Sequence, residues 1–135
     1  MKSYKIFFLF LVLFVLFSCS KDDNNESYPK SVEVEYKVSS TTGNFNSIDN
    51  ITYTNASGGD TTVEDIPLPF SIKFNKTVNR HEYVSILASH IEFDTDGNPV
   101  PIGFKLDLLI DGVVVETENF NSTSSLTGTI NHVFE

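Results

Sequence analysis

The sequence predicts an all-β domain, an antiparallel sandwich of seven or eight strands behind an export leader. Three observations carry that prediction. From Ser31 onward apolar residues recur with a period of two, the pattern of strands with one buried face. Turn-forming clusters such as Asn55-Ala56-Ser57-Gly58-Gly59-Asp60 and Asp111-Gly112 separate these stretches at short intervals. No segment after the leader has helical periodicity, and the long apolar run lies at the start, from Ile6 to Phe17.

That run, preceded by Lys2 and Lys5, has the n-region and h-region of a secretory signal. It is too short to span a bilayer, whose core of about 30 Å needs roughly 20 apolar residues in a helix. It ends in Leu16-Phe17-Ser18-Cys19, which resembles a lipobox built on the chain's single cysteine. The resemblance implies cleavage between Ser18 and Cys19, a diacylglycerol (palmitate-type) thioether on Cys19 and an N-acyl chain on its new amine. Two or three acyl chains make a stable membrane anchor where one binds only marginally. Residues 1–18 are therefore expected to be a cleaved signal peptide, 19–30 a lipidated cysteine with an acidic tether, and 31–135 the folded domain.

The tether, Ser20-Lys21-Asp22-Asp23-Asn24-Asn25-Glu26, has no apolar residue to bury. Lys21, Asp22 and Asp23 are similar to the surface-export signal of Bacteroidota-type lipoproteins, which implies the outer membrane and the cell surface; a periplasm-facing anchor is the alternative. Losing Lys2 and Lys5 with the signal takes the formal charge from −9 to −11. So acidic a domain repels phosphate backbones and anionic headgroups, which argues against nucleic acid and leaves membrane attachment to the lipid. With Cys19 acylated, no disulfide within the chain is possible.

In the domain, Val32, Val34, Tyr36 and Val38 alternate with Glu33, Glu35 and Lys37 as the first strand. Thr41-Thr42-Gly43-Asn44 is turn chemistry, and Ile51-Thr52-Tyr53-Thr54 is β-branched and aromatic enough for a second strand. Thr61 to Glu64 pairs back on it as a hairpin. Pro67 and Pro69 cannot donate to a ladder and punctuate the chain before Phe70, Ile72 and Phe74. Tyr83 to Ala88 is compact and apolar, the strand expected to be covered on both faces. Phe104 to Ile110, Asp111-Gly112 and Val113 to Thr117 read as a hairpin, and residues 125–134 as a last strand. Seven or eight strands in about 105 residues close as an immunoglobulin-like β-sandwich, because one open sheet would leave an apolar face wet.

The succession Val34 to Val38, Ile51 to Gly58, Ile66-Pro67-Leu68-Pro69-Phe70-Ser71, Ile102 to Leu106 and Ile110-Asp111-Gly112-Val113-Val114 resembles the MmpS-type transport accessory domain. That resemblance implies an extracytoplasmic β-sandwich beside a resistance-nodulation-division type exporter of amphiphiles, acting as an accessory and not as an enzyme. The chain differs from that family in carrying a signal and lipid in place of a membrane helix, in lacking a cysteine pair near the C-terminal strands, and in extra sequence from about Ser89 to Pro101.

Site chemistry is sparse. His81, His90 and His132 have no metal-ligand spacing and, as isolated histidines, are expected at the surface or in cross-strand pairs. No Gly-x-Ser-x-Gly elbow places a nucleophile, and Glu33/Glu35 and Glu116/Glu118 at i, i+2 read as solvated faces, so no catalytic residue is assigned. Asp94, Asp96 and Asn98 put three oxygen-bearing side chains around Gly97, a candidate for calcium, although good turn residues alone account for the segment. Asp60-Thr61-Thr62 is similar to the acceptor of Bacteroidota-type O-glycosylation, with Thr61 the acceptor. The expected function is a lipid-anchored, non-enzymatic envelope lipoprotein with a β-sandwich that binds a ligand or an envelope partner, with no cofactor beyond the lipid; the alternative is the exporter accessory.

Overall fold

The computed structural model describes residues 27–42 and 45–135. The signal, Cys19 and Lys21 to Asp23 lie outside them, as do Gly43 and Asn44 of the first turn. Eight strands follow in order: β1 (Lys30–Thr42), β2 (Ser47–Thr54), β3 (Asp60–Pro67), β4 (Phe70–Val78), β5 (Tyr83–Ile91), β6 (Ile102–Ile110), β7 (Val113–Ser122) and β8 (Ser125–Val133). They form two four-stranded antiparallel sheets. Sheet I has the order β4-β1-β6-β7 and sheet II the order β3-β2-β5-β8. The β-sandwich expected from the alternation is present, and no described segment is helical or long and apolar enough to cross a membrane as a helix. Its likeness to immunoglobulin domains is one of architecture: there the first two strands share a sheet, whereas here β1 and β2 lie in opposite sheets.

The core is made by the inward face of each sheet. Val34, Tyr36 and Val38 of β1 and Leu106 and Leu108 of β6 meet Ile51 of β2 and Val84, Ile86 and Ala88 of β5. Each of these valine, leucine and isoleucine side chains, fully removed from water, contributes about 1.5–3 kcal/mol before its entropy is subtracted. Tyr36 reaches across the core, and its hydroxyl donates to the Thr54 carbonyl at 3.0 Å, so the buried phenol is satisfied. Burial pushes its pKa above the ordinary tyrosine value.

β5 alternates between buried and half-buried positions and is not covered on both faces as its composition suggested. It lies between β2 and β8, whose side chains shield Ser85, Leu87 and Ser89 laterally, but among the described residues no further layer lies over sheet II. The strand nearest to double burial is β6, where a bulge at Leu108/Leu109 turns two successive leucines out of water.

Two connections stay within a sheet and show why their turn residues are there. Asp111 and Gly112, at φ 51° and 79°, form the tight β6–β7 turn that needs left-handed backbone. Asp111 also extends the ladder sideways: its amide donates to the Glu33 carbonyl and its Oδ1 accepts from the Glu33 amide, both at 2.8 Å. In the β2–β3 hairpin the Asn55 amide donates to the Gly59 carbonyl at 2.7 Å, Asn55 Oδ1 accepts from the Ser57 amide at 3.0 Å, and Gly58 takes φ 87°. The remaining connections cross between sheets. Within β8, Gly128 is required by contact, since a Cβ there would stand 2.6 Å from the Phe120 ring of β7.

Candidate functional site

The two outer faces of the sandwich differ in chemistry. On sheet I, Glu35 of β1 lies opposite Lys73 of β4, and Lys37 lies between Ser71 of β4 and Asp107 of β6. Lys73 pairs with Glu33 at 3.0 Å and Glu35 at 3.8 Å, Lys37 with Glu35 at 3.2 Å, and Lys105 with Asp107 at 2.8 Å. Ser71 and Thr117 donate to Glu35 and Asp107 at 3.1 and 2.6 Å. Partial burial pushes these two carboxyls up, but the hydrogen bonds and lysines beside them win, and both end below the ordinary carboxylate range. Sheet I thus turns outward a lattice of charges that satisfy one another.

Sheet II turns outward almost no charge. Its central row runs Thr62 of β3, Thr52 of β2, Leu87 of β5 and Thr129 of β8. The next row is Glu64, Asn50, Ser89 and Thr127. On the other side stand Asp60, Thr54, Ser85 and Asn131, with Thr54 Oγ1 accepting from the Ser85 amide at 3.2 Å. Hydroxyls and amides fill these rows, the carboxylates are confined to edge strand β3, and there is no lysine or arginine. Thr52 and Thr62 share a hydroxyl–hydroxyl hydrogen bond of 2.8 Å across the β2–β3 pair.

Two hollows open at one end of this face. One, of about 330 Å³, is lined by Thr54, Gly58, Gly59, Asp60, His81, Glu82 and Tyr83. The other, of about 560 Å³, is lined by Tyr28, Lys30, Glu116, Glu135 and β8 residues Asn131 to Phe134. Tyr83 lines the first and its cross-strand partner Val133 the second; they are 61% and 45% exposed, an apolar pair standing in water between the hollows. The first hollow is braced from beneath by Lys76, a buried residue on the core side of β4, whose ammonium meets Glu82 Oε1 at 2.7 Å. The hydrogen bond from Lys76, then that from the Asn79 amide, holds the Glu82 carboxyl below the usual range. Gly58 lies above this pair, its missing Cβ only 3.3 Å from Lys76 Nζ.

The residues singled out from sequence are scattered. Asp94 and Asn98 are together, but Asp94 Oδ1 already accepts from the Asp96 and Asn98 amides at 2.9 and 2.8 Å, and Asn98 Nδ2 donates to its Oδ2 at 3.0 Å. These bonds, the Asn98 side chain first, hold Asp94 below its ordinary pKa and close the hairpin tip bounded by the Phe93–Pro99 bridge. No group of three His, Cys, Asp or Glu suited to a metal occurs among the described residues. Thr61 is half-buried on the side of β3 shared with core residue Tyr53, and its hydroxyl accepts from Asn55 Nδ2 at 3.0 Å. Cys19, Lys21, Asp22 and Asp23 lie outside the described residues.

His90 forms the cross-strand pair expected of an isolated histidine, but does so from a buried position. It occupies the next core-facing position after Ala88, is buried, and stacks on Phe45 with centroids 4.8 Å apart. Its Nδ1 lies 3.0 Å from Asp49 Oδ1 and its Nε2 3.3 Å from Glu92 Oε2, while Asp49 Oδ2 accepts from the Ile91 amide at 2.9 Å. Both ring nitrogens face carboxylates, and this group ties the end of β5 to β2 where their backbone ladder stops. The extended alternation 84, 86, 88, 90 was the available signal for it. His81 is exposed at φ 65°, and His132 packs edge-on against Phe134.

Neither a protein-family model nor a curated protein matches the chain.

Proposed function

We propose that this chain is a lipid-anchored, non-enzymatic envelope lipoprotein whose β-sandwich is a binding module held at the cell surface. The observation that carries the binding part is the contrast between the outer faces: sheet I pairs off its own charges, whereas sheet II presents uncharged rows of hydroxyls and amides with two hollows at one end. The anchoring part is supported by the apolar run ending at Cys19 and the charged tether after it. The non-enzymatic part is supported by His90, whose nitrogens are turned to carboxylates and not to a nucleophile.

Two measurements test the reading together. Labelled palmitate is expected to enter the wild-type chain and not the Cys19→Ser variant. Protease added to intact cells is expected to remove the domain, and replacing Lys21, Asp22 and Asp23 by Ala is expected to protect it. Protection of the wild-type domain would instead favour a periplasm-facing protein, the address an exporter accessory requires.

A further inference from the structure

We propose that the outer face of sheet II, together with the hollow at Tyr83, binds a neutral polysaccharide. This deepens the binding-module reading and rests on it, but does not depend on the anchor.

Exposed threonine and serine on strands have a bland explanation in β-propensity alone. Sheet I serves as the control within the same molecule. Its strands meet the same propensities and the same solvent, yet its outward positions carry Lys37, Lys73, Lys105, Glu33, Glu35 and Asp107. In a domain so rich in acid, a four-stranded face without a cation and with acids only at its edge needs a reason of its own. Such a face offers nothing to an anionic ligand. A protein partner is disfavoured as well, since stable protein interfaces centre on apolar, aromatic and arginine anchors, whereas the exposed apolar residues here, Tyr83 with Val133 and Ile91, stand at opposite ends of the face with only half-buried Leu87 among threonines between them.

Sugar hydroxyls both donate and accept, and so do the Ser, Thr and Asn groups in these rows. Strands lie about 4.8 Å apart and outward residues on one strand about 6.7 Å apart, so the rows make a patch of about 14 by 13 Å, room for about two or three sugar rings. At its end Tyr83 supplies an exposed ring backed by Val133, an apolar platform for the C–H face of a pyranose. Asp60 in the adjoining hollow supplies a carboxylate able to accept from two vicinal hydroxyls.

The test is affinity electrophoresis of the full chain in a polyoxyethylene detergent, which avoids the sugar headgroups of glycosidic detergents. The gels contain dextran, laminarin or galactomannan as neutral probes, and polygalacturonate as a charged one. At least one neutral polymer is expected to retard the wild-type chain, and polygalacturonate is not. Tyr83→Ala and Thr129→Glu are each expected to weaken that binding about tenfold or more, the loss typical of truncating one anchor residue. Lys37→Ala and Lys105→Ala, on sheet I, are expected to leave it unchanged. Asn131→Lys serves as a second face variant should Thr129→Glu fail to fold. No retardation by any neutral polymer, equal retardation by polygalacturonate, or normal binding by the Tyr83 and face variants overturns the proposal. So does a concentration-dependent dimer in sedimentation that Thr129→Glu abolishes, which would assign the face to a second copy. Failure of the surface address in the protease experiment leaves these gels unaffected, so the two readings fail separately.

Discussion

Replacing Glu82 by Gln tests how the hollow at Tyr83 is built. Lys76 is 4% exposed on the core side of β4, and its ammonium is met by Glu82 Oε1 at 2.7 Å. The other oxygen, Oε2, accepts from the Asn79 amide at 3.0 Å and from Asn79 Nδ2 at 3.3 Å. Gln keeps the volume and one acceptor but leaves the buried ammonium without a counter-charge. Removing one partner of a buried pair typically costs about 3–5 kcal/mol. The Glu82 carboxylate is itself 27% exposed, so water screens part of this and about 2–3 kcal/mol is expected. For a domain of this size that lowers Tm by about 10 °C.

The pH dependence separates this from a mere packing defect. Because the Glu82 pKa is lowered in the folded state, its contribution is present above the unfolded value of about 4.3 and is lost as pH falls through the lower folded value. In urea unfolding of residues 19–135 carrying Cys19→Ser, wild type is expected to exceed Glu82→Gln by the full amount at pH 7 and to converge on it as pH falls through the lowered folded value. The double variant Lys76→Met/Glu82→Leu removes both charges and is expected within about 1–2 kcal/mol of wild type. A loss below about 1 kcal/mol for Glu82→Gln, a difference independent of pH, or a double variant as weak as the single one would refute the argument.

Four further outcomes follow from particular contacts. Gly128→Ala drives a methyl into the Phe120 ring and is expected to lose about 1–3 kcal/mol in the same unfolding assay, most of it recovered by adding Phe120→Leu. Tyr36→Phe should lose about 1 kcal/mol at pH 7 by orphaning the Thr54 carbonyl. It should also flatten the alkaline limb of stability: the raised Tyr36 pKa makes wild type lose stability as pH climbs past the unfolded value of about 10, and a variant without the phenol lacks that slope. Asp111→Ala removes the bond to the Glu33 amide and a residue tolerant of φ 51°, and about 1–2 kcal/mol is expected to go with them, seen as early amide exchange in β7. Cys19→Ser should release the domain from membranes in a fractionation assay without shifting its Tm.

How much of this was legible beforehand depends on whether a feature is local. Most strands show in the period-two pattern, β5 and β7 show as short apolar runs, and the β2–β3 and β6–β7 hairpins show in their turn residues, since all these signals need only neighbouring positions. Strand ends were cut short where a polar residue takes a core-facing place. The alternation 70, 72, 74 continues through Lys76 to Val78, and 84, 86, 88 continues to His90. Lys76 is tolerated only because the β4–β5 turn brings Glu82 to it, and His90 only because β2 switches facing between Ile48 and Ile51 and presents Asp49. Neither partner is visible until the chain is folded.

The hydroxyl-rich face of sheet II was hidden for a related reason. Thr52, Thr62, Ser85, Thr127 and Thr129 each read as an ordinary solvent-facing strand residue, and their placement side by side depends on the order β3-β2-β5-β8, in which β2–β5 and β5–β8 are long-range pairings without a local signal. Sheet I was partly legible because Glu33, Glu35 and Lys37 are consecutive outward residues of one strand, charged enough to be noticed singly. The chemistry of a sheet face is a sum over strands, and where the terms are uncharged that sum appears only after the pairing is known. A motif search asks which residues are close in sequence; this chain's most distinctive surface is made of residues that become neighbours only through its strand order.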